Sequence, residues 1–160
     1  MRGESIKIFT IPPRPPLTKG GRTECWPQYA CAIIEDAEGR LLLESRPDNA
    51  RLAAGKLTCF GGRRKETETP EECLRRELRE ELEWEPHALQ MQVELWVAGE
   101  LVAWFYHAAQ DVRIDQLHVV AGYKALLVSR QEIANIALSP WHAAVLEAWL
   151  AGRRVVELMA

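Results

Sequence analysis

Short apolar bursts separated by turn chemistry dominate the chain from Trp26 onward, the pattern of strands rather than of long helices. Tyr29 to Ile34 is apolar and partly β-branched, Asp36-Ala37-Glu38-Gly39 reads as a turn, and Arg40 to Glu44 returns as a second strand, which predicts a hairpin. A loop from Arg46 to Lys56 leads to a short strand, Leu57 to Phe60, ending at Gly61-Gly62. The next segment switches to helical spacing. Thr69 is the N-cap, Pro70 suits the first helical position, Glu72 completes a capping box, and the helix runs to about Leu82, with Pro86 preventing continuation. Strands follow near Gln90–Val97 and Leu101–Ala108, joined across Ala98-Gly99-Glu100, with another over Tyr123–Val128. Ser129 and Glu132 mark a short helix, and Ser139-Pro140 open a longer one ending by Gly152. In that helix Trp141, Val145, Ala148 and Trp149 share a face predicted to pack on the core. The order of elements predicts an α/β fold with a mixed sheet flanked by helices.

Composition changes this picture at one end only. Residues 1–24 carry Pro12, Pro13, Pro15 and Pro16 followed by Lys19-Gly20-Gly21, which predicts a proline-rich extended arm packing on its own domain or on a neighbouring subunit. Residues 25–160 then form a single domain, consistent with 160 residues in all. Twenty Lys+Arg against 23 Asp+Glu leave a net charge of −3, which argues against a stable nucleic-acid complex. No apolar stretch approaches the roughly 18 residues of a membrane span, and no secretory signal is visible, so a cytoplasmic protein is expected. Cys25, Cys31, Cys59 and Cys73 lack zinc-site spacing and are expected as free thiols, with Cys31 and Cys59 in the core.

Candidate chemistry is concentrated between Gly61 and Trp84. At about 100° per residue, Glu77, Glu80 and Glu81 share one arc of a helical wheel, and Leu74, Leu78 and Leu82 occupy the adjoining face. The helix therefore buries its leucines while holding three carboxylates at the edge of the core. Like charges at these spacings repel, and hard oxygen ligands suit Mg²⁺ or Mn²⁺, so a divalent cation would offset the cost. Arg75, Arg76 and Arg79 offer the other route to neutrality, on a solvated surface helix.

The surrounding spacing decides between these. Gly62 is followed after five residues by Glu68, after seven more by Arg76-Glu77-Leu78, and then by Glu80-Glu81 and Leu82. This resembles the Nudix box of the MutT-like hydrolases, a coincidence expected by chance in roughly one chain in 10⁵. The resemblance implies an α/β/α sandwich and a Mg²⁺- or Mn²⁺-dependent hydrolase in which water attacks a nucleoside diphosphate linked to another moiety. Nucleoside triphosphates, nucleotide sugars or ADP-ribose, and dinucleoside polyphosphates all fit that class. Carried over by position, Glu77, Glu80 and Glu81 would be metal ligands with the Gly62 carbonyl, and Glu68 and Arg76 would orient the helix. Arg46 resembles a phosphate-contacting position of relatives. Many relatives are dimers, which makes a homodimer an expectation by analogy.

Three positions depart from the family pattern. Glu83 stands where the box ends in glycine, Lys65 where an acid is frequent, and Ala121 where many relatives place a late glutamate, for which Asp111, Asp115 and Glu100 are substitutes. The alternative implied by these departures is a catalytically weak or inactive module that binds a nucleotide or a protein. For substrate recognition, Tyr29, Phe60, Trp104 and Tyr106, with Trp26 and Trp96, are the candidates for a base-stacking wall. The four histidines show no ligand spacing and receive no role.

Overall fold

A computed structural model describes residues 25–108 and 116–159. The proline-rich arm, Asp111 and Asp115 lie outside the described residues. The elements are β1 (Tyr29–Glu35), β2 (Leu41–Ser45), β3 (Leu57–Thr58), β4 (Phe60–Arg63), α1 (Pro70–Leu82), β5 (Leu89–Val97), β6 (Glu100–Ala108), β7 (Ala125–Val128), a 3₁₀ turn (Arg130–Asn135), α2 (Pro140–Leu150) and β8 (Val155–Leu158). The predicted hairpin forms with Ile34 opposite Leu42, and the Asp36 carboxylate closes its turn by accepting from the amides of Glu38 and Arg40 at 3.0 and 2.8 Å.

One mixed sheet runs β3-β2-β1-β6-β5-β8, with β4 also pairing β1 and β7 also pairing β2. β1 is parallel to β6 and β5 to β8, while the other pairs are antiparallel. Alternation along β1 divides the core in two. Ala30, Ala32 and Ile34 face α1 and its Cys73, Leu74, Leu78 and Leu82, whereas Cys31 and Ile33 face α2 and its Ala144, Val145, Leu146 and Ala148. The sheet is thus sandwiched between the two helices. Among the described residues, no helix is long and apolar enough to cross a membrane.

Four expectations need correcting. The strand predicted at Leu57–Phe60 is two strands. Leu57 and Thr58 pair with β2, after which the chain passes to β1, and pairing continues through both glycines as far as Arg63 opposite Tyr29. Tertiary pairing here overrides the weak strand propensity of glycine. β8 is absent from the prediction because four residues after Gly152 carry too short a pattern; its partner β5, distant in sequence, supplies the stabilisation. The strand predicted from Tyr123 begins only at Ala125. On α2 Val145, Ala148 and Trp149 pack on the core as expected, joined by Ala144 and Leu146, but Trp141 is 37% exposed.

Candidate active site

The α1 start is built as its sequence dictates. Thr69 Oγ1 accepts from the Glu72 amide at 3.1 Å while the Glu72 carboxylate accepts from the Thr69 amide at 2.9 Å, closing the capping box. Its end is less ordinary. Glu83 takes the left-handed conformation, φ 48° and ψ 40°, and the Trp84 amide reaches back to the Leu78 carbonyl. The helix therefore stops as a glycine-terminated one would, at the cost of putting a side chain where about 1–2 kcal/mol of strain arises. His118 Nδ1 lies 2.7 Å from the Glu83 carboxylate, and the Val120 amide donates to the Glu81 carbonyl at 2.9 Å, so the loop ahead of β7 docks on this helix end.

Preceding α1, the box loop is pinned by two arginines. Arg76 grips Glu68 with two bonds, Nε to Oε2 at 2.6 Å and Nη2 to Oε1 at 2.8 Å, and the Lys65 amide adds a third at 2.8 Å. These bonds hold the Glu68 carboxyl at about 2, well below its ordinary value. Arg76 Nη1 also reaches Glu77 at 2.9 Å and Glu80 at 3.4 Å. Arg64, which the sequence did not single out, stacks over Trp26 and donates through Nη1 to the carbonyls of Lys65, Glu66 and Glu68.

The three box glutamates lie on a gradient of burial. Glu80 is exposed, Glu77 half-buried and Glu81 only 3% exposed. Glu81 takes the Gly61 amide, faces the Glu77 carboxyl, and leaves Oε2 buried with no hydrogen-bond partner among the described residues. Burial above all, then the facing Glu77 and the charge of Glu44, drives its pKa far above the carboxylate range. Two adjacent glycines allow this approach for different reasons. Gly61 has φ 147°, and a Cβ there would lie 2.3 Å from the Ala30 carbonyl oxygen. At Gly62 a Cβ would lie 2.4 Å from the Glu77 carboxylate itself, so the missing side chain is the room that carboxylate uses. The Gly62 carbonyl lies 3.6 Å from the Cys73 thiol.

On the other face of the sheet, a cavity of about 380 Å³ opens between the strands and α2. Its walls include Tyr29, Glu44, Arg46, Gly61 and Gly62, then Leu95, Phe105, Trp141 and His142. Glu44 is buried and bonded to Arg46 Nη1 at 3.0 Å; burial raises its pKa, and so does the charge of Glu77.

Of the aromatics offered for substrate stacking, only Tyr29 lines this cavity, with the Arg63 guanidinium over its ring at 5.9 Å. Phe60 is fully buried and Tyr106 nearly so in the α1-side core, and Trp104 packs against the same cluster. Strand alternation turns all three to the α1 face of the sheet, so they form no stacking wall. Trp26 lies under Arg64, and Trp96 donates to Glu94. Glu100 is exposed at the β5–β6 turn and does not line the cavity. Ala121 lies in the docked loop, whose Tyr123 faces the charges of Glu81, Glu77, Glu44 and Glu80; burial and those charges raise its phenol pKa.

Sequence reasoning missed Glu44, Arg64, Tyr123 and His142. The signal available for Glu44 was a charge closing the apolar run Leu41-Leu42-Leu43; the others carry no local signature.

Among the described residues no three acid, imidazole or thiol side chains are already grouped around a metal position. The donor chemistry nevertheless fits a hard cation. All the groups are carboxylate oxygens, one is buried without a partner, and two carboxyls facing each other need either a shared proton or a cation between them.

Comparison with known proteins matches the geometry. No curated protein matches significantly. Among solved structures, the E. coli ORF135 protein is similar at 26% identity and a TM-score of 0.62, covering 82% of this chain and 94% of that one. The MutT protein from Methanosarcina mazei Go1, at 22% identity and a TM-score of 0.64 with 82% and 97% covered, shares the fold. So does the MutT protein from Bacillus halodurans, at 16% identity and 0.62, with 81% and 85% covered. A NUDIX domain model matches residues 27–156, which contain the carboxylates, both glycines and the cavity, and the chain belongs to the Nudix family.

Proposed function

We propose that the protein is a Mg²⁺- or Mn²⁺-dependent hydrolase that cleaves a diphosphate linkage in a nucleoside diphosphate derivative. The observation that carries this reading is the buried, unpartnered Oε2 of Glu81 facing Glu77 beside Gly61 and Gly62. A chain gains nothing in stability from such a cluster, so its use lies in binding. Glu77, Glu80 and Glu81 would hold the ion. Gly62, offered on sequence grounds as a carbonyl ligand, contributes first by leaving room for Glu77. When bound, the ion would polarise a phosphate oxygen and lower the pKa of a water.

The protein's own groups set the geometry. Glu68 holds Arg76 through two bonds, and Arg76 in turn holds the Glu77 carboxylate at 2.9 Å, so this side chain enters the reaction already positioned. Arg46, on the cavity wall next to the acids, supplies positive charge for phosphate, and Tyr29 supplies an aromatic edge to the same space. The apolar remainder of the cavity suits a nucleoside and excludes water from it. The partner is thus a small nucleotide; the family places no limit on which one.

The test is Mg²⁺-dependent product release from a panel of nucleoside triphosphates, nucleotide sugars and dinucleoside polyphosphates, with Glu81→Gln as the control. Turnover by the native chain and none by the variant is the expected result. A folded native chain inactive on every member, with melting temperature unmoved by millimolar Mg²⁺ and nucleotide, would leave the binding-module alternative, which the absence of a carboxylate at Ala121 favours.

A further inference from the structure

His142 occupies the first turn of α2, on the cavity wall. The Cys59 amide donates to its Nδ1 at 3.0 Å. A backbone amide can only donate, so Nδ1 is a bare acceptor and the ring proton sits on Nε2. Three effects keep the ring neutral. Burial and the nearby Arg46 charge lower its pKa to about 4, and the positive end of α2 disfavours an imidazolium further. Phe105 meets the ring edge-on, with centroids 5.3 Å apart and planes at 76°, which fixes the ring orientation. Among the described residues no group bonds Nε2.

Phe105 packs on the ring, and the cavity it faces is largely apolar through Leu95, Val102 and Ala103, with Glu44, Arg46, Thr58 and Ser139 as its polar lining. A fixed donor in such a wall favours a ligand that brings an acceptor and rejects one that brings a second donor to the same place. We propose that His142 selects the base, its Nε2–H donating to a carbonyl oxygen on the base edge. Nucleotides with an oxo group there, uracil or hypoxanthine, are preferred to their amino counterparts, cytosine or adenine. This inference rests on the nucleotide reading above and adds the class of base.

The experiment compares kcat/KM for UTP against CTP and ITP against ATP in the native chain, in His142→Leu and in His142→Asn. The native chain should prefer the oxo member of each pair by about tenfold, through KM. The Leu variant should lose the preference. The Asn variant, whose Oδ1 can take the Cys59 amide while its NH₂ falls at the Cδ2 rather than the Nε2 position, should keep the fold and also lose the preference. Equal use of both members by the native chain, or an unchanged ratio in His142→Leu, would overturn the proposal.

Nitrogen-15 correlation spectra of the native imidazole supply a readout independent of turnover and of the variants' folding. They should show Nε2 protonated, with its signal moved by UMP and not by CMP. A proton on Nδ1, or equal responses to both nucleotides, would overturn the role. Turnover without base discrimination would retire His142 alone, whereas a UMP-specific shift in a chain that hydrolyses nothing would retire the hydrolase reading and leave the base-selecting role standing.

Discussion

Glu68 and Glu81 are carried by one short stretch of chain, yet their surroundings treat the same carboxyl group in opposite ways. Around Glu68 two guanidinium bonds and an amide saturate the oxygens and hold the proton off. Around Glu81 burial and two neighbouring acids hold a proton on, and one oxygen has no partner among the described residues. Both residues lie in the same motif, so the spacing alone does not separate their roles. The first environment lowers the energy of the charged form and stabilises the fold. The second raises it, and a fold keeps such a group only if something else gains from it.

The largest effect that could break this contrast is expected at Glu81→Gln. Turnover should fall by at least about a hundredfold, since the proposed metal ligand loses its charge and one carboxylate oxygen. The metal-free protein should melt at the same temperature or higher, because a buried group that resists ionisation has been replaced by a neutral one. A variant that is destabilised by several degrees with its activity intact would place Glu81 with Glu68 as a structural residue.

The two glycines sharpen the comparison next. At Gly62 an added methyl meets first the end of the Glu77 side chain, which can swing aside. Gly62→Ala should therefore fold with little loss, about 1 kcal/mol, and lose about tenfold or more in kcat through the displaced carboxylate. At Gly61 the methyl meets β1 backbone, in a conformation side chains rarely adopt. Gly61→Ala should cost about 3 kcal/mol in urea denaturation. Equal stability losses at the two positions would show that Gly62 serves the sheet rather than the carboxylate.

Third comes pH. The folded Glu68 pKa of about 2 lies below its ordinary value of 4.5, so its stabilisation is complete above pH 4.5 and is lost as pH falls toward 2. Glu68→Gln should cost about 2 kcal/mol at neutral pH, and its melting temperature should converge on that of the native chain through that window. Glu81 has the opposite sign. Its raised pKa means that the metal-free native chain gains stability relative to Glu81→Gln as pH falls from 7 toward 5. Parallel melting curves for either pair across its window would remove the asymmetry.

The smallest effect is at the helix end. Glu83→Gly should relieve the left-handed strain and raise stability by about 0.5–1 kcal/mol, less than the full strain because glycine also loosens the unfolded chain and the His118 contact is lost. A fall in stability would mean that the His118–Glu83 pair outweighs the strain.

Local chemistry made much of this legible in the sequence. The capping box at Thr69 and Glu72, the hairpin closed by Asp36 and the run of Leu74, Leu78 and Leu82 all depend on neighbours within four residues or on one helix face. The box glutamates were legible for the same reason, because one helix carries all three at spacings that put them on one arc. Helix spacing could not say which of them is buried. That was decided by the approach of β4, whose two glycines let Glu81 sink against Gly61 while Glu80 stays in water.

Contacts between distant segments decided the rest. β8 exists because β5 offers it an edge, and Phe60, Trp104 and Tyr106 turn to the α1 face because of the register in which β1, β4, β5 and β6 pair. Glu44 becomes part of the acid cluster, and His142 acquires a defined tautomer from the amide of Cys59, only once β2, β4 and α2 are brought to one cavity. A sequence fixes bonds between near neighbours because few chain conformations separate them. The environment of a buried carboxyl or imidazole depends on groups far along the chain, and only the folded structure assembles those.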